Sequence, residues 1–519
     1  MNNHKEELAA IAHQIELEDK KRARLRDLDL IVFDNSLRES TVGQLRGHTL
    51  ENKFNIYRQS RKCGFKNIIV ASFSHTPRVD DTFFGHLQDQ GEDMSPLMAF
   101  SDVTESIKDG LPNTEDIPIA LLKMQKLGIH NPIIEIDLAD SHIDWQRFTG
   151  DDMCKLLDKW ISFAHYELSL DSRVHINLRD FPFAMAAAPE RVLDVITFLA
   201  KLPDEFRPKG IMYEEPTGKF LPEEMGAWTA SIRRVMDENG WESGNLLVHV
   251  HRKWGIADDI QPQCLIHGAN GIWASLCEEG ASLGHACSTV TIMNLVRLGN
   301  KKVLDRYNCT ELRNAAAEVT RLTIGRDPDP RQTVYGERAL DLSFDFGRIA
   351  GGRLAEGDFD IAAFFGVQAP VRISTLASAR MVRERMVDLF GEDPQFTDEM
   401  GERMKAVMIE DLKAGRKEEY MSSYGIALLF DRSGGKLTKT MREVISAVEL
   451  VSQYEIRLVQ DVRTRWERFD LREGEKDGDF LPFEYFWEGF MTPYFGCVRC
   501  EDTLEGLTAI DMDQDGRVN

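Results

Sequence analysis

Along residues 28 to 276, short apolar runs of strand-forming residues alternate with stretches whose apolar positions recur every three or four residues. The runs are LDLIVFD (28–34), KNIIVASF (66–73), PLMAF (96–100), NPIIEIDL (131–138), RVHINL (173–178), GIMYEE (210–215), LLVHVH (246–251) and GIWASL (271–276). Apolar side chains on consecutive positions read as strands covered on both faces, as in a parallel sheet flanked by helices. TLENKFNIYRQSRKCGF, PIALLKMQKLG and PERVLDVITFLAKL carry the helical period between them. Eight such repeats predict a (β/α)8 TIM barrel, because an open doubly wound sheet does not normally need eight consecutive strands.

Active sites of that fold sit at the C-terminal ends of the strands. The polar residues fall there: Asp34 through Glu39, Asp137, Asp140, Arg179, Asp180, Glu214, Glu215, His249 and His251. His249 and His251 are one residue apart on a strand, so their imidazoles share a side and converge on one point, as a metal ion requires. Four regions are expected: a charged amphipathic helix over 1–27, the barrel over 28–325, a linker and helical subdomain over 326–420, and an acidic, helical, EF-hand-like region over 421–519.

Composition narrows the function classes. A net charge of −23 over 519 residues argues against a nucleic-acid partner, since phosphates would be repelled. No apolar run approaches the ~20 residues that span a bilayer, and the N-terminus has no apolar segment of the kind a signal peptide needs. Eight scattered cysteines suit a reducing compartment, so a soluble intracellular protein with no membrane partner is expected. The lone pair Cys497 and Cys500 reads as two packing thiols.

The first strand ends FDNSLREST, which resembles the D-x-[TS]-L-R-[DE] signature of the metal-dependent barrel family of isopropylmalate synthase, homocitrate synthase and hydroxymethylglutaryl-CoA lyase. The resemblance continues from His249 through RKWGIADDIQPQCLIHGANGIWASLCEEGASLGHA, and more loosely through YGERALDLSFDFG and STLASARMVRERMVDLFG, covering roughly residues 28 to 415. It implies that Arg38 stabilises an enolate and that Glu39, His249 and His251 ligate a divalent metal. His285 stands where the family places a fourth ligand, usually asparagine. Three imidazoles and one carboxylate suit Zn²⁺, Mn²⁺ or Fe²⁺. Asp34 is then a candidate partner behind the ligands, and Asp180 and Glu215 are candidates for contact with substrate. A homodimer and a small carboxylic acid substrate also follow from the resemblance.

The departures are specific. The family's catalytic glutamate on the second strand is Ile69 here, and its two linker histidines are Leu342 and Gly347. H-x-H-N-D has become His249-Val-His251-Arg-Lys, and G-E-R-x-G-N reads Gly280 to His285. The family's means of removing a proton from an acyl-CoA are absent. What remains is a metal beside an arginine, suited to aldol cleavage, decarboxylation of a 2-oxo acid, or a Claisen-type condensation with another base. His75, His142, Asp180 and Glu215 are the candidate bases.

The chain closes AIDMDQDGRVN, in which Asp511, Asp513, Asp515 and Gly516 reproduce the first half of an EF-hand loop. Upstream, Glu473, Glu475, Asp477, Asp479 and Glu484 fit the same template with Gly478 in place, and a degenerate third candidate surrounds Asp431. Ca²⁺ is therefore an expected partner. Two functions are open: a metal-dependent carbon–carbon lyase or synthase for a small 2-oxo or hydroxy acid, adjusted by calcium, or a non-catalytic calcium-responsive scaffold or metabolite sensor on a decayed barrel.

Overall fold

The structure, a computed structural model, describes residues 3 to 448 apart from 43, 45, 74–78, 282, 341–358, 368–372, 416–419 and 421, and the backbone at 481–482 and 517–518. The chain divides into two units, one formed by Met1–Asp341 with Gly357–Pro370 and one by the rest.

The first unit is a closed barrel of eight parallel strands. They are β1 (Ile31–Asp34), β2 (Ile68–Ser72), β3 (Leu97–Asp102), β4 (Asn131–Ile136), β5 (His175–Leu178), β6 (Gly210–Glu215), β7 (Asn245–Val250) and β8 (Gly271–Ala274). Each lies within, or within a residue or two of, an apolar run of the sequence, and β8 closes on β1 with Ile31 beside Gly271. Phe33, Ile69, Met98, Phe100, Ile133, Met212, Leu247 and Trp273 fill the interior as one cluster. A TIM barrel is a packed core of this kind, so chemistry is confined to its ends.

The connecting helices bury their apolar stripes against the outer faces of the strands. Thr49 caps the helix Leu50–Lys62 by accepting from Asn52 N at 3.2 Å. Gly128, at φ +70°, ends the helix Ile119–Leu127 in the left-handed conformation that glycine adopts without strain. The expected N-terminal helix spans Asn3–Asp27 and lies largely exposed. Leu8, Ile11 and Ile15 are more than half exposed, and contact comes from its end, where Leu25 is buried and Arg24 Nε donates to Leu265 O at 2.9 Å. Past residue 325 the chain stays with the barrel unit: Tyr335 is buried and accepts from Glu278 N at 3.1 Å.

In the second unit, helices Ala379–Phe390, Asp398–Lys413, Ser423–Arg432 and a helix over 439–448 surround a methionine-rich core that includes Met381, Met386, Met400, Met404 and Phe430. Two helix-loop-helix turns lie side by side, tied by Gln395 Nε2 donating to Lys436 O (3.0 Å) and Lys436 N donating to Gln395 Oε1 (2.9 Å). Asp431 sits in the last turn of Ser423–Arg432, ahead of a short loop over 433–438. The calcium candidates Glu473, Glu475, Asp477, Asp479, Glu484, Asp511, Asp513 and Asp515 lie outside the described residues, as do Leu342, Gly347, Cys497 and Cys500. Leu481–Pro482 pairs antiparallel with Arg517–Val518. No helix among the described residues is long and apolar enough to cross a membrane.

One buried ion pair braces the turn after β1. Lys53, 1% exposed, reaches the Leu37 carbonyl and lies 2.9 Å from Asp80 Oδ1. Burial lowers the Lys53 pKa, and Asp80 opposes that. Removing one partner of such a pair leaves an uncompensated charge and costs about 3–5 kcal/mol. Lys53→Met is therefore expected to lower the unfolding free energy measured by urea denaturation by that order, and the double variant Lys53→Met/Asp80→Leu to recover most of it. A double variant no more stable than the single one would refute the pairing.

Candidate metal centre

Parallel strands in register turn paired residues to the same side, and residues two apart share a face. Leu247 lies in the barrel interior, so His249 and His251, two and four residues on, point into the C-terminal mouth. Glu214 pairs with His249 and follows the interior Met212, so it points inward as well. Glu215, its neighbour, faces outward.

Three side chains converge. Glu39, His249 and His251 each bring one potential ligand atom into a group spanning no more than 4.8 Å. His249 Nδ1 faces Trp273 O at 2.8 Å and His251 Nδ1 faces Ala281 O at 3.0 Å. A carbonyl only accepts, so both Nδ1 atoms carry the hydrogen and both Nε2 atoms are left as lone pairs, 3.2 Å apart. Two such lone pairs repel unless a cation lies between them. Burial, followed by its two histidine neighbours, lowers the His249 pKa and keeps the ring neutral. The arrangement fits a divalent metal, with backbone carbonyls fixing the tautomers.

Glu39 completes the group. It sits in a short 3-10 turn after β1, 4% exposed, where Oε2 accepts from Arg38 Nη1 at 2.9 Å and Oε1 from Ala281 N at 3.2 Å. Burial alone would raise its pKa, but Arg38, His285, His251 and the Ala281 amide outweigh burial and hold it below the usual value. Arg38 is pinned by Ser72 Oγ at 2.9 Å and lies 4.6 Å over the Phe100 ring.

His285 is adjacent but outside the convergent group. Its ring centre lies 5.4 Å from that of His249 and 6.4 Å from that of His251. Nδ1 faces Ala286 O at 3.0 Å, and Nε2 is buried without a partner. Gly280 explains how His285 and Glu39 come so close. A Cβ there would meet His285 Nε2 at 2.9 Å and Glu39 Cγ at 3.1 Å.

The other candidates fall elsewhere. Asp34 does not touch the ligands: the interior place on β1 belongs to Phe33, and Asp34 faces out, accepting from Ser36 Oγ (2.6 Å) and Ser60 Oγ (2.5 Å). Burial pushes its pKa up to about 6. His142 is exposed and bonded to Asp140. Asp180 starts the helix Phe181–Ala187 at φ +47° and lines a surface cavity with Glu215, whose Oε1 accepts from Thr217 N at 3.0 Å. His75 lies outside the described residues.

Arg179 and Glu214, expected at the strand ends, belong to an inward carboxylate network whose other members, Asp102, Glu135 and Asn177, the sequence did not single out. Arg179 Nη1 donates to Asp102 Oδ2 (2.8 Å) and Glu135 Oε1 (3.2 Å), and Glu135 Oε2 accepts from Asn177 Nδ2 (2.8 Å). Glu214 Oε1 lies 4.0 Å from His251 Nε2. Burial, then Glu135, pushes the Glu214 pKa up to about 8, while Glu135 is raised by burial first. The signal that could have told inward Glu214 from outward Glu215 was its spacing of two from Met212.

No family model matches the chain, and no curated protein matches it. Similar solved structures include the HMG-CoA lyase from Brucella melitensis, 13% identical over 57% of this chain and 99% of that one, with a TM-score of 0.43. The hydroxymethylglutaryl-CoA lyase from Pseudomonas aeruginosa is 14% identical over 58% and 94%, with a TM-score of 0.43. The carboxyl transferase domain from Rhizobium etli pyruvate carboxylase is 12% identical over 58% and 48%, with a TM-score of 0.39.

The contact at Gly280 is testable. Gly280→Ala forces Glu39 and His285 apart and is expected to weaken metal affinity by roughly 10- to 100-fold, the range for residues that support ligands. Competition with a chromophoric chelator measures it, and an unchanged affinity would show that this close approach is immaterial to the site.

Proposed function

We propose that the chain is a divalent-metal-dependent enzyme that makes or breaks a carbon–carbon bond in a small 2-oxo or hydroxy acid by way of an enolate. The observation that carries the reading is the convergence of Glu39, His249 and His251 beside Arg38 at the catalytic end of the barrel. Zn²⁺, Mn²⁺ or Fe²⁺ held there would polarise the substrate's carbonyl oxygen. His285 is a fourth ligand in this proposal, its free Nε2 being the one feature that supports it.

Arg38 has five N–H donors and commits two, to Ser72 and Glu39. The remainder serve a substrate carboxylate or the enolate oxygen, whose charge a guanidinium stabilises best when held in place beforehand. Phe100 and the Ser72 hydroxyl hold it in place. The proton that must leave or reach carbon needs a carboxylate near the ligands. Ile69 cannot provide it, and Glu214 is the inward carboxylate 4.0 Å from His251.

Purified protein never exposed to chelator is expected to carry close to one transition metal per chain by elemental analysis, and His249→Ala/His251→Ala to carry none. Deuterium exchange at the methyl group of pyruvate, followed by proton NMR, reports enolisation without knowledge of the true substrate. Glu214→Gln should slow it by about 100-fold or more while retaining the metal. Metal-free wild-type protein would overturn the proposal. Exchange unaffected by Glu214→Gln would remove that residue from it.

We also propose that Ca²⁺ adjusts this activity through the loops at 473–484 and 511–519. Support comes from their carboxylate spacing and from the pairing of Leu481–Pro482 with Arg517–Val518, since paired hands lie with their loops side by side. Ca²⁺ should raise the melting temperature and change Trp fluorescence, and Glu484→Gln should remove both effects. No change in either signal at millimolar Ca²⁺ would end the regulatory proposal.

A further inference from the structure

The opposite end of the barrel holds a second cavity, of about 410 Å³, beneath the interior core. Four cationic side chains line it: Lys66, Arg173, Lys209 and Arg306. Arg306 is neutralised by Asp29, 2.7 Å away. Among the described residues, the other three have no carboxylate within ion-pair distance. Arg173 spends its donors on neutral groups: Nε on Asn131 Oδ1 (3.1 Å), Nη1 on Asn67 Oδ1 (2.7 Å) and Nη2 on Ser95 O (2.6 Å). Those three bonds fix the orientation of the guanidinium, leave its charge uncompensated and leave two N–H donors uncommitted.

This is an unusual place for bare cations. The chain carries 86 acidic residues against 63 basic ones, so carboxylate partners are abundant. Three like charges around one cavity repel each other, and the repulsion is relieved by an anion between them.

A second observation points the same way. His175, the first residue of β5, is 2% exposed and forms part of the cavity wall. Its Nδ1 faces Arg173 O at 3.0 Å, so that nitrogen carries the hydrogen, and Nε2 is buried with no partner. Among the residues lining the cavity it is the one polar atom left so. Burial first, then Arg173 and Lys209, pushes the His175 pKa down to about 3, so the ring is neutral and its unpaired nitrogen can accept the one hydrogen that a singly protonated oxyanion carries. Ser243 and Asn245 add neutral hydrogen-bonding groups to the lining.

We infer that this cavity is an anion site for a phosphoryl group, held by Lys66, Arg173 and Lys209 at the N-terminal end of the barrel. A phosphoryl group presents several charged oxygens at once, which suits three cations better than one carboxylate does. The volume exceeds that of bare phosphate and falls among small-molecule sites, leaving room for a small phosphorylated metabolite. The site is separate from the metal centre, because the layer from Phe33 to Trp273 fills the barrel between them.

Calorimetric titration of the full, metal-loaded chain with inorganic phosphate and, separately, with glycerol phosphate tests this. At least one should bind saturably at millimolar concentration or below, more weakly as salt is raised. The tighter of the two tells free phosphate from a phosphomonoester. Lys66→Glu/Lys209→Glu alters two exposed side chains and should weaken binding by about tenfold or more, with metal content and melting temperature unchanged. His249→Ala/His251→Ala should leave binding intact, which excludes phosphate sitting on the metal. Absence of saturable binding by both ligands would overturn the inference, as would binding that survives the charge reversal or is lost with the metal.

Discussion

Two lone pairs held face to face govern this molecule's candidate chemistry. His249 and His251 each give their one hydrogen to a backbone carbonyl, so their remaining nitrogens oppose each other 3.2 Å apart. Among the described residues no donor sits between them; a cation there would relieve the repulsion. The rest of the mouth follows from it. Glu39 supplies the negative charge, Arg38 steadies Glu39, and Lys53 and Asp80 brace the turn that carries both. A barrel serves this purpose because parallel strands in register bring residues distant in sequence to one rim.

Much of this was legible in the chain. Eight strands were readable because each is apolar on both faces, and the H-x-H spacing was readable because it falls at the end of one. The Arg-Glu pair could be placed because it follows the first strand directly. What could not be read was which way a side chain turns when both faces of a strand are apolar. In LDLIVFD no polar alternation marks the interior, so Asp34 looked like a site residue although Phe33 takes that place. In GIMYEE the same ambiguity separated Glu215, which faces out, from Glu214, which faces the ligands. Only pairing between strands resolves it. The Arg173 cavity was equally hidden, since its cations come from four separate segments and share no motif.

The two ends of the barrel carry opposite electrostatics. The mouth gathers Asp102, Glu135, Asp137, Asp140 and Glu214 around Arg179; burial works against the charge of Arg179, but Asp102, Glu135, Asp137 and Glu214 raise its pKa. The opposite end gathers two lysines and two arginines, of which, among the described residues, only Arg306 is paired with a carboxylate. In a chain of net charge −23, the two ends are separated by an apolar, closely packed interior. The field across the barrel is thus set by which residues stand at strand starts and which at strand ends.

The Ala281 peptide joins two of the ligands. Its carbonyl accepts from His251 and its amide donates to Glu39, so the loop after β8 touches a nitrogen ligand and an oxygen ligand through one residue. The loop cannot swing away without releasing both at once. For an ion bound by Glu39 and His251, departure would therefore be coupled to the same opening that uncovers the mouth. An ion held there could leave no faster than this loop opens, and the protection of a single amide proton at Ala281 reads out that opening.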